Sequence, residues 1–122
     1  MDEYSQALSS YERALEIQKI ARPPNHPDLA GCYNNTGVVH YGMGEFSKAL
    51  SMYEYSLEIQ KIALPPNHLD LASSYYNIGN AYENMGEYSE ALPSCKRAVE
   101  IREIALPPNH PDLAASYRNL GL

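Results

Sequence analysis

The sequence predicts an all-α chain, a helix–turn–helix solenoid of six antiparallel helices. Three observations predict it. The tetrapeptide Pro-Pro-Asn-His stands at 23–26, 65–68 and 107–110, a spacing of 42 residues. Between these marks, apolar residues recur at three- and four-residue steps, the spacing of a helix with one apolar face. Each block is also cut twice, once by the proline pair and once by a short glycine turn such as Asn84-Met85-Gly86. A fixed period of about 20–50 residues marks a stacked architecture rather than one closed domain.

The same 42-residue shift superimposes Ala7, Ala49 and Ala91; Glu16-Ile17, Glu58-Ile59 and Glu100-Ile101; Tyr33, Tyr75 and Tyr117; and Gly37, Gly79 and Gly121. Helices are expected near 3–22, 28–42, 45–64, 70–84, 87–106 and 112–122. In the third, Phe46, Ala49, Leu50, Tyr53, Leu57, Ile59 and Ile62 form the apolar stripe. Pro65-Pro66 stops that helix, because proline lacks the amide donor and clashes with the preceding turn. Asn67 or His68 is placed to cap the next one. Pro27 and Pro111 fall in a first helical turn, which tolerates proline. Asp28, Asp70 and Asp112 put a carboxylate near the positive helix start. Pro93 lies inside the fifth helix and is expected to bend it.

Composition narrows the function. The chain has 122 residues, a net charge of -6, 44% hydrophobic and 20% charged residues. That is a globular balance. The negative charge argues against nucleic acid, whose phosphates call for clustered Lys and Arg. No apolar run approaches the roughly 20 residues of a membrane span. Met1-Asp2-Glu3-Tyr4 has neither part of a signal peptide. Cys32 and Cys95 are far apart and form no C-x-x-C pair, so free thiols and a cytoplasmic location are expected.

The order Tyr75, Ile78, Gly79, Tyr82, then Ala91, Cys95 and Ala98 resembles the tetratricopeptide repeat. Gly79 lets two helices approach, and the alanines are what it approaches. The longer period, the string Cys95 to Glu103 preceded by Pro93, the stretch His110-Pro111-Asp112-Leu113-Ala114 and Tyr33-Asn34-Asn35 resemble the kinesin light chain form of that repeat. The resemblance implies a right-handed superhelix that binds a peptide or partner protein, cargo-adaptor style, and not an enzyme. Arrays of this kind also occur attached to ADP-ribosyltransferase or nucleotide-binding domains, which implies a regulatory or targeting segment as the alternative.

The chain is expected to form a single array over 1–122, two full repeats and flanking half-repeats. Met1 aligns with Met43 and Met85, and Leu122 falls partway through a first helix. Neither end carries the polar cap such arrays use. A fragment of a longer array is expected, or self-association through uncapped ends.

No catalytic constellation, metal site or cofactor is expected. His26, His68 and His110 share one place in the repeat, so stacking keeps them apart, and packing at a helix start is the better reading. His40 holds the place of Tyr82 and is expected to be packed or at an edge. Gly42 and Gly44 begin a glycine motif that Ser47 breaks. Glu54, Glu58 and Lys61 read as a solvated face. Tyr33, Tyr75, Tyr82 and Tyr117 are expected in the core, Tyr41 and Tyr76 toward a partner.

The resemblance places the ligand on the first helix of each unit. With the packing stripe set aside, Ser73, Tyr76, Asn77, Asn80, Glu83 and Asn84 remain. Their neighbours by register are Gly31, Asn34, Asn35, Val38 and Tyr41, and Arg118 and Asn119. Asparagine amides both donate and accept, which suits an extended peptide backbone. A competing reading has Asn35, Asn77 and Asn119 tie neighbouring helices together. Arg118 is the only cation on this surface and Glu83 opposes it, so a neutral or mixed ligand is expected.

Overall fold

The computed structural model describes residues 3–24 and 26–119, the side chains of Ser116 and Asn119 aside. Six helices follow one another: α1 Glu3–Ala21, α2 Pro27–Gly42, α3 Phe46–Ala63, α4 Leu69–Asn84, α5 Tyr88–Ala105 and α6 Pro111–Asn119. Among the described residues there is no strand. The expected positions 120–122 of α6, with the repeat glycine Gly121, lie outside the described residues, as does Met1. The helices divide into two compact units, 1–63 and 64–122. In the first, α2 packs on both α1 and α3; in the second, α5 packs on both α4 and α6.

The expected histidine at each helix start is a cap. Nδ1 of His26 accepts from the Asp28 amide at 3.1 Å, His68 from Asp70 at 3.0 Å, and His110 from Asp112 at 3.1 Å. Each imidazole thus satisfies one of the amides that a helix start leaves without an internal partner. His68 rather than Asn67 fills that place. The other end of the first helices closes on glycine. Gly44 and Gly86 have φ of 78° and 75°, the left-handed region that glycine enters without a Cβ penalty. The Glu45 amide donates back to the His40 carbonyl and the Gly44 amide to that of Tyr41, with the same pair of bonds in the second unit at Glu87–Tyr82 and Gly86–Glu83. That is the Schellman closure of a helix C-terminus.

In the first unit Leu15, Leu29, Ala30 and Ile59 form a buried cluster with Cys32 and Tyr33 against it. Between α2 and α3, Gly37 meets the Tyr53 ring so closely that an added Cβ would lie 2.8 Å from two of its carbons. Between α4 and α5, Gly79 meets Cys95, and an added Cβ would lie 2.5 Å from its sulfur. Ala49, Ala91 and Ala98 are buried alongside. The seam is therefore built on close backbone approach.

The expected stripe on α3 needs correction. Ala49, Tyr53, Ser56 and Ile59 are its buried residues, whereas Leu50 and Leu57 are half-buried and Ile62 is exposed. Helix α3 packs on α2, and Ser56 lies on the buried row where Ile62 does not. The tyrosines also differ from expectation. Tyr33, Tyr75, Tyr82 and Tyr117 are half-buried, as are Tyr41 and Tyr76. Tyr53 takes the enclosed place against Gly37, and these six phenols are only partly covered, an apolar body with a polar end that needs water or a polar partner. Helix α5 continues through Pro93, which is exposed.

Candidate interaction surface

The buried row of α2 is Leu29, Ala30, Thr36, Gly37, Val39 and His40. Its opposite side presents Gly31, Asn35 and Val38, all exposed, with Asn34 and Tyr41 half-buried at the margins. These are the residues picked from the sequence in this unit. Tyr41 sets its ring edge-on to Phe46 at 5.1 Å, which holds it against the start of α3. His40, one residue earlier, is buried, and its Nδ1 donates to Glu45 Oε1 at 3.2 Å. Lys48, and after it His40, hold the Glu45 carboxyl below the usual carboxylate range. This is a clasp across the turn from α2 to α3, and it gives the histidine a structural task.

In the second unit the buried row of α4 is Leu71, Ala72, Ser74, Ile78, Gly79 and Ala81. Ser73 and Asn84 are exposed, and Tyr76, Asn77, Asn80 and Glu83 are half-buried. Arg118 on α6 is exposed, and the Asn119 side chain lies outside the described residues. Asn84 Nδ2 donates to the Asn80 carbonyl at 2.8 Å, one turn back. Asn34, Asn77 and Asn80 each already make an interaction within the protein, so a ligand would share or displace existing contacts. Burial, and then the negative charge of Glu83, push the Cys95 thiol up. Both cysteines are free thiols.

One functional group escaped the sequence reading. The Arg102 guanidinium lies over the Tyr76 ring, 4.9 Å from its centroid, and donates from Nη1 to the Asp112 carbonyl at 3.3 Å. Arg102 is only 6% exposed, so its charge is anchored beneath Tyr76 rather than offered to solvent. The signal was present as a paired departure. Where Tyr76 and Arg102 stand, the preceding repeat carries Asn34 and Gln60. A guanidinium over an aromatic face is an attractive pair, and only this repeat carries both.

Among the described residues, no three His, Cys, Asp or Glu side chains converge as metal ligands. No helix there is long and apolar enough to cross a membrane.

Two tetratricopeptide repeat family models match, one over residues 1–62 and one over 71–112. No curated protein sequence matches the chain. Among solved structures, the nearly identical TPR-like repeats assigned to a kinesin light chain of Podosopora anserina superpose with a TM-score of 0.90 at 23% identity, covering 97% of this chain and 56% of that one. BtubC (BKLC) from P. vanneervenii superposes at 0.87 with 26% identity, covering 97% of this chain and 47% of that one. The N-terminal domain of stress-induced protein-1 from C. elegans matches over the whole of both chains at 0.61 with 14% identity. The chain thus spans about half the length of the first two structures.

Proposed function

The chain belongs to the tetratricopeptide repeat family, a family of protein-interaction scaffolds, and from that premise we propose that it holds an extended peptide or partner protein along the first helices of its repeats. The supporting observation is the division of α2 and α4. One side of each is closed by glycine and small residues against the next helix. The other keeps Asn35 and Val38, or Ser73 and Asn84, open, with Asn34, Asn77 and Asn80 beside them. Amide side chains at these places pair with the main chain of a ligand without fixing its sequence. Arg118 and Glu83 bring opposite charges, and Arg102 is already occupied by Tyr76 and the Asp112 carbonyl. A neutral or mixed peptide fits this balance better than a strongly acidic one. An affinity on the order of micromolar, about −8 kcal/mol, is expected of such a surface. Cargo-adaptor binding of the kind implied by the kinesin light chain resemblance is the finer form of this proposal.

The experiment is the double substitution Asn77→Ala with Asn80→Ala in the full chain. Partners are captured with the unaltered protein and identified, and binding to the variant is then measured alongside circular dichroism. A loss of about tenfold or more in affinity with helicity retained is expected. Unchanged binding by a folded variant would leave these asparagines a purely structural role.

A further inference from the structure

The second helix of each repeat, α1, α3 or α5, reaches a position, 13, 55 or 97, that carries Arg13, Tyr55 and Arg97 in turn. In the second unit, Arg97 Nη2 donates to the Pro66 carbonyl at 3.1 Å, and Nη1 lies 3.4 Å from Glu100 Oε2. The guanidinium so ties α5 to the loop that precedes α4. In the first unit Tyr55 stands in that place and is 51% exposed. Its ring lies beside that of Tyr33, centroids 5.1 Å apart and planes tilted by 30°. Tyr55 here lines an open cleft of about 340 Å³.

Leu29 and Ile59 line this cleft at the buried end, and Ile62 at the exposed end. Glu58 and Pro24 line it too, and they are the repeat counterparts of Glu100 and Pro66. The pairing partners of a guanidinium are therefore kept while the guanidinium itself is replaced. The neighbouring position is reversed in charge as well, with Glu54 where Lys96 stands. Glu54, Tyr55 and Glu58 share an adjoining depression on α3. Burial, and then the charge of Glu58 one helical turn on, push the Glu54 carboxyl up. Lys19 lines the cleft too, its Nζ 5.9 Å from the centroid of the Tyr33 ring.

We propose that this cleft accepts an arginine side chain from a partner peptide, its guanidinium paired with Glu58 and the Pro24 carbonyl and laid on the Tyr55 ring. The second unit supplies the template, since Arg97 makes the equivalent pair from within. Arginine fits better than lysine because a planar fork serves a carboxylate and a carbonyl at once and stacks on an aromatic face. The cleft is at the small end of ligand pockets, so it takes one long side chain and apolar neighbours that reach Ile59 and Ile62. Lys19, already in the lining, repels a second cation, which favours an isolated arginine among apolar residues over a basic run. This surface is separate from the asparagine face, and either assignment stands without the other.

The test uses the full chain labelled for aromatic NMR, with the acetylated, amidated peptide Leu-Arg-Leu and its citrulline counterpart as probes. Saturable shifts of the Tyr33 and Tyr55 rings are expected with the arginine peptide, at an affinity at least tenfold above that of the citrulline peptide. Tyr55→Arg should fill the cleft from within and abolish the shifts of the remaining Tyr33 ring with helicity unchanged, because the second unit already accommodates Arg97 at this place. Glu58→Gln leaves the cleft open and should weaken binding about tenfold. Equal affinity for the two peptides, or shifts that survive both substitutions, would overturn the proposal. Ring shifts that follow protein concentration alone, with a matching rise in sedimenting mass, would give the cleft to a second copy and overturn it equally.

Discussion

The α2–α3 and α4–α5 hairpins repeat one design with different fillings. Gly37 and Gly79 occupy the same place, and each is pressed by the side chain sixteen residues later. In the first hairpin that side chain is Tyr53, 3% exposed; in the second it is Cys95, 2% exposed. A phenol and a thiol differ greatly in volume, yet both are enclosed. What the repeat holds fixed is thus the glycine and the alanines Ala49 and Ala91, which set how closely the backbones approach. The large residue opposite adapts to local space. The margins vary still more, with Asn34 in one unit where Tyr76 meets Arg102 in the other, and Tyr55 where Arg97 reaches Pro66.

The sharpest way to break this equivalence is to empty the two places in turn. Tyr53→Ala removes a buried aromatic ring, and such truncations cost about 3–5 kcal/mol. Cys95→Ala removes a single sulfur and should cost about 1–2 kcal/mol by area and cavity reasoning. Urea denaturation of each variant measures both. If the two losses come out equal, the hairpins do not depend on their fillings as their geometry indicates.

Alkaline pH separates the same two residues by chemistry. Burial, with a smaller contribution from Tyr41, pushes the Tyr53 phenol up to about 12. In the unfolded chain a tyrosine ionises near pH 10. Between these values the folded state holds the proton that the unfolded state has lost, so stability falls as pH rises. It is fully present below about pH 10 and declines toward pH 12, by about 2–3 kcal/mol at roughly 1.4 kcal/mol per pH unit. Burial, and then Glu83, raise the Cys95 thiol in the same direction, and its window opens earlier because a thiol ionises near 8.5 when unfolded. Tyr53→Phe should therefore lose less stability than the unaltered chain between pH 10 and 12, and Cys95→Ala should flatten the earlier part of the curve. Parallel curves for all three proteins would show that neither group carries the effect.

Much of the fold was legible because its punctuation is chemical. Proline pairs, a histidine with an aspartate two residues on, and glycine turns are local devices, and they locate the helix ends from Ala21 to Pro111 to within about a residue. The glycine seam was legible for a related reason, since a small residue at a fixed register has few other uses. The interaction surface was legible only as a side. Helical spacing says which residues face away from the seam, not what they touch. That Asn34, Asn77 and Asn80 are already engaged depends on neighbours that no window of sequence displays. Arg102 was passed over because it lies on the second helix, one helix removed from the residue it covers. The cleft beside Tyr55 was unreadable for a different reason. It arises from a side chain that is smaller in reach than its repeat counterparts, and absence of reach has no signature until the loop at Pro24 is placed beside it.

The smallest effect concerns a hydroxyl. Ser56 is fully buried on the α3 seam, and its Oγ finds no hydrogen-bond partner among the described residues. The repeat counterparts are Ala14 and Ala98, and Ala98 is likewise fully buried. A buried hydroxyl without a partner gives up its bonds to water and receives nothing in return, at about 1–3 kcal/mol. Alanine has the same backbone and one fewer heavy atom, and it is also the better helix former by a few tenths of a kcal/mol. Loss of the oxygen leaves a small void that returns part of the gain. Ser56→Ala should therefore stabilise the chain by about 1 kcal/mol, and Ala98→Ser should destabilise it by a similar amount. Opposite signs from the same atom at equivalent places would establish that both hairpins share one seam environment. Should Ser56→Ala lower the melting temperature instead, the hydroxyl holds a bond in solution, and the α2–α3 seam admits a polar group that the α4–α5 seam does not.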